Sequence, residues 1–415
     1  MSKPLTARAS FWVAAVVAGL VLWGSAAPSV SYPLYARAWD LTPTVTTAIF
    51  AIYPVALIPV LLIFGNLSDV IGRRAAILLG LAALAAGALA LGLAPNLGWV
   101  LVGRAMTGVG VGLALSPATA AMIEFGALAN PSDPNAAARA SSTTTAATAT
   151  GLALATLVGG ALVQYAPAPM HLNFWVLLVV VLATGVAVWF LPRHTRAETV
   201  GPWRPRTLHV PRGIRAPFIG GTLGIAAAFA SGAIFLALGA QIARDLLDSA
   251  NALLDGAVIS VSAVVIGLVA VLARRVDPPK AMAAGTATGV VGFALIVGAG
   301  LASSLWLFLA SAVVSGIAYS LLFAGGLGLV SANAPAHHRG AILSAAYSVG
   351  YLVQAAAALG LGAIATTGGL QRALEIGSPI IVAIGVAATL IGWSGRTRAE
   401  TTGTPQPSGT ATGSR

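Results

Sequence analysis

Residues 43–94 read PTVTTAIFAIYPVALIPVLLIFGNLSDVIGRRAAILLGLAALAAGALALGLA. Two apolar runs, 43–64 and 75–94, flank a short charged connection. Each run is close to the roughly 20 apolar residues that a helix needs to cross the hydrocarbon core of a bilayer. Backbone groups in lipid must bond within their own segment, and neither run alternates at period two. The stretch therefore predicts two membrane-spanning α-helices joined by a tight turn.

The same pattern recurs along the whole chain of 415 residues, of which 58% are hydrophobic and 8% charged. A soluble chain usually carries about 25% charged residues. We predict an all-α membrane protein with about twelve transmembrane helices. The predicted spans are 11–34, 43–64, 75–94, 98–122, 143–164, 172–191, 217–240, 252–273, 281–301, 305–330, 341–364 and 376–394. The first is interpreted as a span rather than a secretory signal, because it stays apolar to Leu34.

The distribution of basic residues predicts the orientation. With a cytoplasmic N-terminus, eighteen of the 22 Lys and Arg residues fall on the cytoplasmic side, three fall in outer loops, and Arg104 lies inside a span. This is the positive-inside bias. The net charge of +11 is thus explained by topology rather than by a nucleic-acid partner. We predict a multi-pass protein of the bacterial cytoplasmic membrane with both termini in the cytoplasm.

The longest polar stretch between spans divides the chain into two halves. It covers residues 192–216 and is rich in Pro and Arg, with six predicted spans on each side. We predict an N-terminal six-helix bundle (1–191), a cytoplasmic basic linker (192–216) and a C-terminal six-helix bundle (217–394). The polar, low-complexity residues 395–415 are predicted to form a disordered cytoplasmic tail.

The connection between the second and third predicted spans holds Gly65, Asp69, Gly72, Arg73 and Arg74. It resembles the signature loop of the major facilitator superfamily, Gly-x-x-x-Asp-x-x-Gly-Arg-Lys/Arg, which lies between helices 2 and 3. The resemblance implies two six-helix bundles and assigns these five residues to a cytoplasmic gate. The basic residue that often follows the Asp is Val70 here. We expect Asp69 to pair with nearby arginines and with the start of helix 11, near residue 341.

Two further stretches resemble motifs of the same family. Arg104, Thr107 and Gly108 are similar to its helix-4 motif, Arg-x-x-x-Gly, which implies a substrate or coupling role for Arg104 and Thr107. A snorkelling role for Arg104 is the alternative. Residues 151–160 are similar to its antiporter motif, although Ala155-Thr156 replaces the central Gly-Pro. The glycines of both stretches are predicted to allow close helix packing: Gly108, Gly112, Gly151, Gly159 and Gly160.

Helices 1, 4, 7 and 10 line the cavity in this family, which directs attention to their polar and aromatic residues and to those of helix 11. The candidates for substrate contact are Ser25, Ser29, Tyr32, Tyr319, Tyr347, Tyr351 and Gln354. On helix 1 the spacing i, i+4, i+7 places three of them on one face, with Pro28 as an expected kink. The set suits a small, fairly hydrophobic solute.

Acidic residues are absent from the middle of every predicted span, so no obvious proton relay is predicted. Carboxylates at span edges are interpreted as solvated or gate charges rather than proton carriers: Asp40, Asp69, Glu124 and Asp255. The absence of cysteine excludes disulfides and thiolate metal sites. An enzyme is disfavoured because no span presents an acidic pair, a nucleophile with a base or a metal-ligand cluster.

The function predicted from these features is secondary active transport of a small organic solute by alternating access. Export driven by a proton gradient is the leading prediction. Uptake of a small organic solute, or of an anion held by Arg104, is one alternative, and a membrane sensor that transports nothing is another. The expected partners are the lipid bilayer, the solute and protons, with no cofactor or metal and a monomeric protein.

Overall fold

Helices account for the regular structure of the computed structural model, which describes residues 4–132, 136–192, 212–246, 251–273, 275–335 and 339–401. Within these ranges there is no β-strand. Eleven helices of the described chain are long and apolar enough to cross a membrane, and the last of them covers 55 residues. Because that helix is broken in its middle, the described residues form twelve spans.

The spanning helices are numbered α1–α12. α1 consists of Ala7–Ala26 and Tyr32–Ala38, joined by a 3₁₀ turn at Ala27–Ser31. The next five are α2 (Pro43–Phe64), α3 (Arg73–Gly92), α4 (Leu97–Ala129), α5 (Ala136–Tyr165) and α6 (Leu172–Trp189). α7 contains Arg215–Ala233, a π-helical turn at Ile234–Leu238 and Gly239–Leu246. α8 (Ala252–Ala273), α9 (Pro278–Leu301) and α10 (Leu305–Asn333) follow. Arg339–Thr401 contains α11 and α12, divided at Gly369.

Local capping explains where several helices begin. The Thr42 side chain accepts a hydrogen bond from the Val45 amide at 3.5 Å, and the Asn96 side chain accepts one from Trp99 at 3.4 Å. Such caps satisfy amide groups that have no partner within the first helical turn. α2 and α4 therefore begin where polar residues interrupt the apolar sequence.

The predicted loop between 364 and 376 is wrong, because helix continues on both sides of Gly369. This residue has φ 85° and ψ 162°, a conformation that is nearly exclusive to glycine. The chain reverses here, since a Cβ placed on Gly377 would meet the side chain of Leu361. A single glycine therefore makes the turn for which a loop was predicted.

Other boundaries also differ from the predicted ones. α1 begins at Ala7 and ends at Ala38, several residues beyond each end of the predicted span. Residues 395–401, predicted to begin the disordered tail, continue α12 as helix. Residues 193–211 of the predicted linker and 402–415 of the predicted tail lie outside the described residues.

The helices form two bundles that pack along two seams. In the first bundle α4 packs against α1, α2 and α3, and in the second α10 packs against α7, α8 and α9. The bundles meet where α5 packs against α8 and where α2 packs against α11. We call the side on which α1 begins the N-face, and the side that carries Gly369 the opposite face.

Candidate functional site

The turn between α2 and α3 has the geometry that its glycines predict. A short helix, Leu67–Ile71, follows α2, and Gly72 then adopts φ 87° and ψ 153° before α3 begins at Arg73. A side chain at position 72 would be strained in this conformation. At the other glycine, a Cβ on Gly65 would lie 3.6 Å from the Ser344 hydroxyl. The turn therefore lies beside the first part of α11, on the N-face.

Arg73 joins the charges of this turn to α4. Its guanidinium donates to Asp69 Oδ1 at 2.7 Å, to the Ser68 hydroxyl at 2.6 Å and to Glu124 Oε1 at 3.1 Å. Arg74 turns towards α6, where it donates to a backbone carbonyl and lies 4.8 Å from the Trp189 ring. Glu124 is thus paired with Arg73. Its role as a gate charge and the expected contact between Asp69 and α11 stay predictions.

Arg104 is fully buried, with 0% of its surface exposed. Its guanidinium donates to the backbone carbonyls of Ser25 at 2.7 Å, Ile49 at 3.2 Å and Phe50 at 3.4 Å. It also lies 5.0 Å from the centre of the Tyr53 ring. Within the described residues no carboxylate comes within 4.0 Å of it. Arg104 therefore ties α4 to α1 and α2 through their backbones.

A proline explains one of these contacts. Pro54 lies inside α2 and has no amide proton, so the carbonyl of Phe50 lacks its normal helical partner. A carbonyl left unpaired in a low-dielectric interior costs about 1–3 kcal/mol. The Arg104 guanidinium takes the place of the missing donor. Neither residue alone indicates this pairing, since they are 50 positions apart in the sequence.

The residues that follow Arg104 serve close packing. The Thr107 hydroxyl donates to the carbonyl of Gly103 in its own helix at 2.8 Å. A Cβ on Gly108 would meet the carbonyl of Tyr53, and one on Gly112 would lie 2.8 Å from Val60. Both glycines let α4 approach α2 closely.

The glycines of α5 face two different helices. A Cβ on Gly151 would meet the carbonyl of Gly19 in α1, and one on Gly159 would lie 2.9 Å from Val30 of the same helix. Gly160 instead faces the second bundle, where a Cβ would lie 2.6 Å from the carbonyl of Ala252 in α8. The stretch that resembles the antiporter motif thus serves both the first bundle and the seam between bundles.

The three polar candidates on α1 do not lie on a regular α-helical face, because the 3₁₀ turn changes the spacing that predicted it. Pro28 lies in that turn, which confirms the expected irregularity. Ser25 donates to the carbonyl of Leu22 at 2.8 Å, while the hydroxyls of Ser29 and Tyr32 are buried without a hydrogen-bond partner in the described chain. All three side chains are buried rather than exposed to a cavity.

Aromatic rings from both bundles converge in the middle of the molecule. Phe229 of α7 lies 4.7 Å from Tyr351, 5.7 Å from Phe323 and 6.3 Å from Tyr319, measured between ring centres. Tyr347 lies 6.0 Å from Phe323. We call these five residues, together with Tyr53 of α2, the aromatic wall. Tyr53 meets Tyr351 edge to face at 6.4 Å, so the wall crosses the seam between bundles.

Four rings of the aromatic wall are only half-buried: Tyr319, Phe323, Tyr347 and Tyr351. The three tyrosines of this group were predicted candidates. Phe229, Phe323 and Tyr53 were missed, because an aromatic residue in an apolar span gives no sign of whether it faces lipid or the interior. The spacing of Tyr319 and Phe323, four residues apart on α10, was an available signal.

Gln354 is not a member of the aromatic wall. Gln354 lines a separate small cavity next to Tyr319.

Near the opposite face, Asp255 of α8 has 2% of its side chain exposed and lies 3.9 Å from Arg244 of α7. Asp255 is therefore buried beside Arg244 rather than solvated, and its role as a gate charge stays a prediction. Within the described residues no group of three or more His, Cys, Asp or Glu side chains could hold a metal ion.

The opposite face is closed across both seams. The hydroxyls of Thr44 in α2 and Thr366 in α11 are 2.7 Å apart. Gln164 of α5 accepts a hydrogen bond from the amide of Ala252 in α8 at 2.8 Å. These hydrogen bonds join α2 to α11 and α5 to α8 near this face.

Comparison with known proteins gives a consistent assignment. The family model described as Major Facilitator Superfamily matches residues 11–358. A search of curated protein sequences finds no match. Among solved structures, a bacterial homologue of the human lysosomal transporter Spinster, inward-facing and unoccupied, has a TM-score of 0.70 at 14% identity. The alignment covers 98% of this chain and 100% of that one.

Two other solved structures share the fold. The peptide transporter POT, solved as a point mutant, has a TM-score of 0.73 at 16% identity, covering 93% of this chain and 94% of that one. The human organic anion transporter MFSD10 (TETRAN) has a TM-score of 0.62 at 15% identity, covering 93% and 99%. At these identities the likeness concerns the fold alone.

Proposed function

Because the chain belongs to the Major Facilitator Superfamily, it is a membrane transporter and not an enzyme, and we propose that it exports a small uncharged organic solute. The solute binds against the aromatic wall, and alternating access between the two bundles moves it across the membrane. A proton gradient drives the export. One chain supplies both sides of the site, so the working unit is a monomer.

The half-buried rings of the aromatic wall carry this proposal. Aromatic side chains supply large apolar surfaces whose faces and edges favour other rings and apolar groups. The wall contains no Asp, Glu, Lys, Arg or His, so its members offer no charge to pair with an ionised solute. An anion would lose its hydration there without compensation, because the faces of aromatic rings carry partial negative charge. An uncharged, largely apolar molecule suits this surface better.

The position of the wall fits alternating access. Tyr53 belongs to the first bundle and Tyr351 to the second, and the two rings touch across the seam of α2 and α11. A solute inserted there contacts both bundles at once. A change in the angle between the bundles would then alter its surroundings, which is the differential interaction that such a transition requires.

The burial of Arg104 weighs against the alternative of anion transport. Three carbonyl oxygens already accept hydrogen bonds from its guanidinium, and none of its surface is exposed. An anion would have to displace carbonyls that would then be left unpaired. We propose that Arg104 is a structural cation of the first bundle.

Counterflow in proteoliposomes tests the proposed function. We expect vesicles preloaded with an uncharged aromatic solute, 2-naphthamide, to take up the labelled compound faster than empty vesicles do. With a pH gradient, proton-driven export by antiport accumulates the solute in the more acidic compartment, whichever way the protein is inserted. Accumulation in the more alkaline compartment would show symport and overturn export, while equal uptake with and without preloading would overturn binding at the wall.

The proposed orientation has its own test. We propose that the N-face is cytoplasmic in the bacterial inner membrane, on the basis of the eighteen basic residues assigned to that side. Reporter fusions at Gly201 and Gly409 should give cytoplasmic signals. An exported signal at either position would overturn the twelve-span topology with a cytoplasmic N-terminus.

A further inference from the structure

A cavity lies beside the aromatic wall, with a volume of about 60 Å³. Residues of α5, α7, α8, α10 and α11 line it, among them Ser231, Ser262, Tyr319 and Gln354. Since a water molecule needs roughly 10–15 Å³ measured in this way, the cavity has room for about four waters or for one small chemical group. Tyr319 belongs to both the cavity lining and the aromatic wall, so the cavity adjoins the wall.

Gln354 is the most polar group that lines this cavity. The residue is 6% exposed, and its Oε1 atom is buried with no hydrogen-bond partner in the described chain. An unsatisfied amide in a membrane protein interior is costly, so such groups normally bond to protein, water or ligand. The amide carries both an acceptor and donors, and it has no charge.

The backbone of α7 is irregular where it forms one wall of the cavity. The π-helical turn Ile234–Leu238 contributes Phe235 and Leu236 to the lining. A π-helical turn inserts an extra residue into a helix and occurs frequently at functional sites. Next to it, Gly232 carries no side chain, and a Cβ there would lie 3.1 Å from the Tyr319 ring. The irregular turn and the glycine together leave the space open.

We propose that this cavity binds a neutral hydrogen-bonding head group of the solute, such as a carboxamide or a hydroxyl, with Gln354 as its partner. The inference rests on the proposed function, because the apolar body of the same solute lies on the aromatic wall. No Asp, Glu, Lys, Arg or His lines the cavity among the described residues, so it selects against an ionised head group. The substrate class is therefore an aromatic or alicyclic molecule with one neutral polar end.

Four fluorescent probes that share a naphthalene body separate the contributions of body and head. They are 2-naphthamide, 2-naphthylmethanol, 2-methylnaphthalene and 2-naphthoate. Binding to the purified full chain in nanodiscs is measured by fluorescence, with empty nanodiscs as the blank. We expect the amide and the alcohol to bind about tenfold more tightly than the methyl compound, since one satisfied buried hydrogen bond is involved. The carboxylate should bind most weakly.

Substitution of Gln354 tests the partner. Gln354→Leu should weaken binding of 2-naphthamide about tenfold and leave binding of 2-methylnaphthalene unchanged. Gln354→Met, which keeps the length of the side chain, repeats the test if the leucine variant does not fold. Gln371→Leu is the matched control, because that amide bonds to Val297 and Glu375 away from the cavity. It should change none of the four affinities.

Failure of this inference differs from failure of the proposed function. If both Gln354 variants lower the affinity for all four probes equally, or for none of them, the cavity does not distinguish the head groups and the inference is wrong. The proposed function would survive provided that Tyr351→Ala still weakens all four probes. If no probe binds the native protein, or if Tyr351→Ala has no effect, the aromatic wall is not the site and both proposals fall.

Discussion

In the first bundle Arg104 is fully buried and donates to three backbone carbonyls, whereas in the second bundle Tyr319, Tyr347 and Tyr351 remain half-buried. Arg104, whose charge makes it the most costly of these residues to place in a membrane, is thus held by hydrogen bonds to the backbones of neighbouring helices. The rings, which cost little, line the accessible space. Charge within a span is commonly taken to mark a functional site, but here the carbonyl partners give it a structural explanation.

The difference follows from how each bundle fills its interior. In the first, glycines on α4 and α5 bring backbones together, so a long side chain can reach carbonyls of two neighbouring helices. In the second, glycines also bring α7 and α10 together, at Gly221 and Gly326, but the π-helical turn of α7 and the rings of the aromatic wall lie next to the cavity that Gln354 lines. Close packing supports a fixed network, and loose aromatic packing supports exchange of a ligand.

The largest expected effect comes from Arg104→Ala. The change leaves the carbonyls of Ser25, Ile49 and Phe50 unpaired and opens a cavity, which should destabilise the first bundle by about 3 kcal/mol or more. Thermal unfolding of the purified protein measures this loss. Arg104→Lys should recover little, since one ammonium cannot match the fork of donors on a guanidinium.

Thr107→Val provides the control for Arg104. Its hydroxyl bonds within its own helix, so the change should cost less than about 1 kcal/mol. A normal unfolding temperature for Arg104→Ala combined with lost transport would contradict the structural role and restore the coupling role that the motif implies.

A smaller effect is expected from Tyr351→Ala, and it should appear in binding rather than in folding. The ring contacts Phe229 and Tyr53, so its loss removes wall surface from both sides of the seam. Affinity for 2-naphthamide should fall about tenfold, given the value of one aromatic pair plus its lost area. Tyr165→Ala, a change at a ring 71% exposed at the end of α5, should leave affinity unchanged. Equal losses in both variants would argue against the wall.

Much of the fold could be predicted because membrane helices depend on local sequence. Apolar runs of sufficient length place the spans, and polar residues such as Thr42 and Asn96 mark helix starts. The turn at Gly72 also follows from its motif. A connection between residues 364 and 376 was predicted, but its reduction to a single residue at Gly369 was missed, because one glycine inside an apolar stretch usually indicates helix packing, and only the backbone angles distinguish the two.

The candidate site was less predictable because its members meet through tertiary contacts. Arg104 could be identified as unusual, but its partners are backbone carbonyls that carry no residue-specific signal. The buried position of Tyr32 depends on the 3₁₀ turn, which shifts the side chains away from α-helical spacing. Phe229 of α7 joins the wall through contacts with α10 and α11, which no local pattern of α7 encodes.

Charges at the two faces should shift the conformational balance in opposite directions, by several-fold in each case. Asp69→Asn removes a partner of Arg73 on the N-face and should favour opening there. Asp255→Asn removes the partner of Arg244 near the opposite face and should favour opening on that side. Asp69 is 48% exposed, so its contribution is limited to about 1 kcal/mol.

Labelling of single cysteines measures these shifts, and the chain has no native cysteine to remove. Leu327→Cys on α10 reports on the N-face, and Leu34→Cys on α1 reports on the opposite face. Asp69→Asn should raise labelling at the first position and lower it at the second, and Asp255→Asn should do the reverse. Parallel changes in both variants would mean that the charges affect general stability instead of the balance between states.

The smallest effect is expected from Tyr32→Phe, which removes a hydroxyl that the sequence assigns to the substrate site. That hydroxyl is buried without a hydrogen-bond partner in the described chain, and the residue is 1% exposed. Loss of an unpaired buried hydroxyl relieves a desolvation cost, so the change should be neutral or slightly stabilising. Unfolding temperature and counterflow of 2-naphthamide should both stay at or just above the native values. A residue with a purely structural role would give this result. Reduced counterflow with an unchanged unfolding temperature would instead show that Tyr32 contacts the solute during transport. The first bundle would then contribute a polar contact to the solute. The contrast between buried groups in the first bundle and half-buried rings in the second would then apply only to the conformation described here.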